Sequence, residues 1–159
     1  MKSVMLSIRP KWCEKIVGGE KTIEVRKTKP KLETPFKCYI YCTNSGVATG
    51  MWGKHGKVVG EFTCNTVTNL FSNSRFWLNE DDVLQTCLSA AELRKYADGA
   101  NGLYGWHISD LVCYDKPKEL SEFKGLRKTK FGYEPVEIKR APQSWCYVEE
   151  WEQKELEEM

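Results

Sequence analysis

The run Gly19-Glu20-Lys21-Thr22-Ile23-Glu24-Val25-Arg26 places a carboxylate between two cations within a few residues. Arginine offers a planar fork of donors, lysine a mobile point charge, and the carboxylate accepts. Held together, Lys21, Glu24 and Arg26 can grip an anion or a polar planar ligand. Glu24 next to Lys21 can also do acid–base work, so these two are the catalytic candidates if the chain is an enzyme. The competing reading is a strand whose outer face carries solvated ion pairs.

An extended strand is the element that must position these groups. Side chains alternate along a strand with a period of two. Ile23 and Val25 then face a core, while Thr22, Glu24 and Arg26 face the other way, with Lys21 at the strand entrance. Ahead of this strand, residues 4–8 read as a first strand and residues 9–17 as a short helix. Pro10 suits a first helical position and Gly18-Gly19 a stop. Arg9, at the turn between those elements, is a further ligand-binding candidate. Thr43, Asn44 and Ser45 end a later strand, where hydroxyls and backbone groups serve either a ligand or a turn.

Downstream, residues 36–43 read as a strand, and the glycine-rich residues 44–57 as a loop or hairpin. Residues 58–67 read as another strand, with Gly60 at a bulge or a close approach. Asn79 caps a helix through Leu88, with Glu80, Asp81 and Asp82 in its first turn. Ser89-Ala90-Ala91-Glu92 is a capping box for a second helix. Residues 103–114 read as one strand, 116–132 as a loop with a basic cluster at Lys124, Arg127, Lys128 and Lys130, and 136–139 and 145–149 as closing strands. From Glu149 the tail is acidic. One domain over residues 1–148 and an acidic tail over 149–159 follow.

The order Leu6-Ser7-Ile8-Arg9-Pro10, a helix, then Gly19-x-Lys21-x-x-Glu24-x-Arg26 resembles the opening of ASCH domains, which belong to the PUA-like superfamily. The resemblance extends through Val58-Val59-Gly60-Glu61-Phe62, Tyr104 to Leu111 and Lys116 to Leu120, over roughly residues 1–123. It implies an α+β fold: a small, largely antiparallel PUA-like β-barrel with flanking helices. It also implies a cleft between the barrel and the first helix, lined here by Arg9, Lys21, Glu24 and Arg26. Some ASCH relatives are amidohydrolases acting on N4-acylated cytidine, using a Lys, a Thr three positions later and a distant Glu. Lys21 matches that Lys, but Glu24 stands in the Thr position. Another relative is a metal-dependent ribonuclease.

Composition sets further bounds. The 159 residues carry a net charge of +2, yet residues 1–60 hold twelve Lys or Arg against four acids. The basic half carries the motif, and a basic surface attracts phosphate. Six Trp are present; Trp52, in the glycine loop, and Trp145 lie outside any apolar stripe and are candidates for stacking an unpaired base. Trp12, Trp77 and Trp106 read as core. Seven scattered Cys and two His match no zinc spacing, so neither metal nor cofactor is assigned. No apolar run approaches the roughly 18 residues of a membrane span, and no signal-peptide core is seen, so the chain is expected in the cytoplasm. The expected partner is single-stranded RNA or a nucleoside or nucleotide, with a hydrolase on acylated cytidine or RNA as the alternative.

Overall fold

The computed structural model describes residues 2–45 and 54–151. These build eleven strands: β1 Lys2–Ile8, β2 Ile23–Arg26, β3 Phe36–Cys42, β4 Lys57–Cys64, β5 Val67–Ser72, β6 Arg75–Phe76, β7 Gly102–His107, β8 Ser109–Lys118, β9 Lys124–Thr129, β10 Gly132–Glu137 and β11 Trp145–Glu149. Three α-helices accompany them: α1 Pro10–Val17, α2 Glu80–Thr86 and α3 Ala90–Tyr96.

The expected small barrel is not seen closed among the described residues. Among the described residues the strands make two sheets that are not closed on one another, ordered β10-β9-β11-β1-β3-β4-β8 and β2-β7-β5-β6. The physical reason lies at Ile108. The apolar run read as one strand breaks there, because the Ile108 N–H donates to the carbonyl of Thr22 and Asp110 takes a positive φ. Its first half, β7, joins the small sheet beside β2 and β5, and its second half, β8, joins the large sheet beside β4. Pairing is antiparallel except between β1 and β3.

Alternation assigns three cores. Val4, Leu6 and Ile8 of β1 meet Cys38 and Ile40 of β3, Phe62 of β4 and Trp106 of β7 between the sheets. Ile23 and Val25 of β2 pack with Leu70, Leu103 and Leu93 of α3 on the far side of the small sheet. Met5, Tyr39, Val58, Phe123 and Val148 fill the other face of the large sheet. A strand buried on both faces reads as a continuous apolar run, as Val4-Met5-Leu6 does. Cys13, Cys38, Cys42 and Cys64 are buried free thiols within this packing.

Local signals in the sequence account for the helices. Pro10 opens α1, and Gly19 takes φ 81° just past its end. The Asn79 side chain accepts from the Asp82 N–H, and Ser89 with Glu92 forms the reciprocal capping box. Strands also form where none was read. Residues 67–76 form a hairpin, β5–β6, whose turn residues Asn73 and Ser74 both have positive φ, as a tight two-residue hairpin requires. The expected loop at 116–132 is the end of β8, a 3-10 turn at Leu120–Glu122, and β9, which pairs with β10. Gly60 sits at a register shift between β4 and β8, where a Cβ would lie 2.5 Å from the Val112 carbonyl oxygen.

Candidate functional site

The polar face of β2 is not on the outside. Glu24 lies across from Trp106 in the β2–β7 pair, so its face turns toward the space between the sheets. Lys21, Glu24 and Arg26 are only 2%, 5% and 8% exposed. Glu24 joins both cations: its Oε1 is 3.7 Å from Lys21 Nζ and its Oε2 is 3.1 Å from Arg26 Nη2. A solvated outer face is thereby replaced by a buried ionic triad.

Each member is held by a different element. Lys21 Nζ donates to the Thr86 carbonyl at 2.5 Å, which gives the C-terminal end of α2 a cation. It also stands 4.8 Å from the centre of the Trp12 ring of α1. Burial lowers the Lys21 pKa, and the Glu24 carboxylate opposes that shift. Glu24 Oε1 accepts from the Val25 N–H at 3.1 Å. Arg26 is the most engaged of the three. Nη2 donates to the Ser7 carbonyl at 2.8 Å, and Nη1 donates to the carbonyl and hydroxyl of Ser144 at 3.0 and 3.1 Å. Its fork therefore ties β2 to the end of β1 and to the segment entering β11.

These groups floor a cavity of about 850 Å³. Arg9 and Trp12 come from the start of α1, and Glu92, Lys95 and Tyr96 from one face of α3, where residues three and four apart are neighbours. Lys27 and Gln143 complete the mouth. The floor is buried and ionic, one wall is aromatic, and the rim carries the exposed cations Arg9, Lys27 and Lys95 beside the acids Glu92 and Asp98.

Arg9, Lys21, Glu24 and Arg26 thus meet at one cavity. Trp145 does not line it; its indole N–H donates to Thr28 Oγ1, and its ring packs edge-on against Trp106 and Tyr147. Trp52 lies outside the described residues. The aromatics at the cavity are Trp12 and Tyr96; Trp12, read as core, is half-buried and packs against the core between the sheets while also lining the cavity, and its place one turn from Arg9 on α1 was the available signal. Trp77, also expected in the core, is 51% exposed. The hydroxyls of Thr43 and Ser45 bond each other in a turn, and His107 bonds Thr68. Lys95, Tyr96 and Glu92 were missed because only tertiary packing brings α3 to β2.

No family model and no curated protein sequence matches the chain. Solved structures do. The ASCH protein of Zymomonas mobilis superposes with a TM-score of 0.57 at 19% identity, over 96% of this chain and 88% of that one. A serine-to-alanine variant of it gives 0.58 at 18%, over 96% and 89%. A tyrosine-to-phenylalanine variant gives 0.55 at 19%, over 97% and 92%. The chain has the fold of an ASCH domain over nearly its whole length.

Proposed function

We propose that this ASCH-fold chain binds a nucleotide, free or at the end of single-stranded RNA, in the cavity floored by Lys21 and Glu24. The observation that supports this most is the composition of the cavity. A ligand reaching the floor meets a donor and an acceptor side by side: the Lys21 ammonium beside the Glu24 carboxylate. Such a pair matches the mixed edge of a nucleobase better than a phosphate alone. Trp12 offers a ring on which a base can stack, and Arg9, Lys27 and Lys95 at the mouth suit phosphate. The volume is that of a small-ligand site. Arg26 acts mainly by fixing the floor, since its terminal nitrogens are already donating to four acceptors.

Titration with nucleoside monophosphates and short RNA at roughly 50 and 200 mM salt tests this. Lys21→Met and Trp12→Ala should each weaken binding about tenfold or more, on the scale of one charged hydrogen bond or one stacked base. No binding at the lower salt, or binding indifferent to both variants, refutes the proposal.

A second reading has one observation in its favour. The lowered pKa of Lys21 makes its amine a better base or nucleophile, as hydrolysis of an acylated cytidine would use. Against it, among the described residues no threonine lines the cavity, and the hydroxyl of Ser7, which does line it, is donating to the Pro142 carbonyl. Turnover of N4-acetylcytidine that disappears in Lys21→Met would favour this second reading.

A further inference from the structure

We infer that a strip of aromatic rings and lysines on the β11–β9–β10 part of the large sheet is a second binding surface, for the single-stranded RNA that continues from the cavity. The inference rests on the nucleotide reading of the cavity. In antiparallel strands, directly opposed residues share a face. Tyr147 is opposite Val4, Trp145 opposite Leu6 and Lys2 opposite Glu149, so these side chains stand on the face of β1 that meets the small sheet. Trp145 and Tyr147 are half-buried against the core between the sheets, and the face is more exposed farther out on β10. There Tyr133 of β10 is 43% exposed and sits opposite Lys128 of β9.

The rings follow one another. Trp145 and Tyr147 have centroids 5.3 Å apart, and Tyr147 and Tyr133 5.9 Å apart. Lys2 Nζ stands 3.7 Å from the Tyr133 centroid and 4.1 Å from that of Tyr147, which puts a cation directly on the aromatic surface. Phe131, at the tip of the β9–β10 hairpin and flanked by Lys130, is 99% exposed and packs no core. Aromatic rings interleaved with lysines are what a sequence-tolerant single-strand surface needs: π-faces for bases and charges for phosphates. An aliphatic protein-docking face would lack the cations.

The strip also joins the cavity. Ser144, which Arg26 holds, immediately precedes Trp145, and Trp145 donates to Thr28, two residues after Arg26. On the far side, the Lys31 N–H donates to the Tyr147 hydroxyl and places another lysine beside the ring. Gln143 lines the cavity mouth one residue before Ser144, so a strand whose terminal base enters the cavity leaves it beside the segment that leads to Tyr147 and Tyr133.

Fluorescence anisotropy with an RNA oligouridylate of about ten nucleotides, beside calorimetry with UMP, tests this. Tyr133→Ala and Phe131→Ala alter exposed side chains. Each should raise the Kd of the oligomer roughly five- to tenfold while leaving that of UMP unchanged. Lys2→Ala should reduce the slope of log K against log salt by roughly 0.7 for the oligomer. Lys21→Met should weaken both ligands. Oligomer affinity unmoved by Tyr133→Ala and Phe131→Ala, with Lys21→Met still effective, overturns the strip and spares the cavity. Oligomer binding lost in Tyr133→Ala but untouched by Lys21→Met keeps the strip and overturns the cavity reading. Capture by anionic lipid vesicles with the same variant sensitivity, without oligomer binding, makes the strip a membrane contact and refutes the RNA assignment.

Discussion

Glu24→Ala tests whether the triad is a coupled ionic unit in the folded chain. The substitution leaves the Lys21 ammonium, 2% exposed, and the Arg26 guanidinium, 8% exposed, without their shared carboxylate. Removing one partner of a buried ion pair typically costs about 3–5 kcal/mol. Two features place this case near the lower end. Arg26 keeps the Ser7 and Ser144 acceptors. Lys21, whose pKa burial already lowers, can release its proton. A loss of about 3 kcal/mol follows, which lowers Tm by roughly 6–12 °C in a chain of this size. The pH dependence is the sharper readout. A lysine whose folded pKa lies below its unfolded value holds fewer protons folded than unfolded, so stability rises with pH between the two values and is lost as pH falls. In the parent chain Glu24 counters the downward shift of Lys21. In the variant the shift deepens and the window opens at lower pH. The gap between the two chains should therefore shrink as pH rises above 7, because the variant's lysine gives up its proton earlier than the parent's. Urea melts across that range measure it. A gap below about 1 kcal/mol, or one constant with pH, would refute the coupled triad.

Arg26→Lys should fail to restore what Arg26→Ala loses, because a point charge cannot serve Glu24, Ser7 and Ser144 together; a lysine variant as stable as the parent in urea melts would show that the fork is dispensable. Gly60→Ala should cost about 1–3 kcal/mol, since the new methyl meets the Val112 carbonyl oxygen at 2.5 Å and must part β4 from β8; an unchanged urea midpoint would contradict that packing. Asn79→Ala should cost about 1 kcal/mol through loss of the α2 cap on Asp82, seen as faster amide exchange in the first turn of α2.

What the sequence made legible was local. Caps, turn glycines and the period of β2 are set by neighbours along the chain, so Asn79, Ser89 and the pairing of Ile23 with Val25 on one core were readable. What was not readable was which side of β2 faces water. Period two separates Glu24 and Arg26 from Ile23 and Val25, but it does not say that a second sheet and two helices cover the polar side. That cover depends on the break at Ile108, where one apolar run divides between two sheets. A charged run with no apolar alternation at residues 124–130 likewise conceals β9, which earns its place by pairing with β10 and β11 rather than by burying side chains.

The same covering changes the roles within the motif. On an open face, Arg26 would be the natural ligand fork and Lys21 an auxiliary charge. Once enclosed, the guanidinium is the group best able to satisfy several acceptors at once, and it does so at the Ser7 and Ser144 carbonyls and at the side-chain carboxylate of Glu24 on its own strand. Lysine has fewer such obligations. Its one short bond is to Thr86, and its shallow distance to Glu24 leaves the ammonium turned along the floor toward Trp12. Burial thus divides the two cations: arginine builds the floor, and lysine is the group left to meet what enters. Of the two cations, then, Lys21 is the one whose replacement should cost binding more than stability, and Arg26 the one whose replacement should cost both.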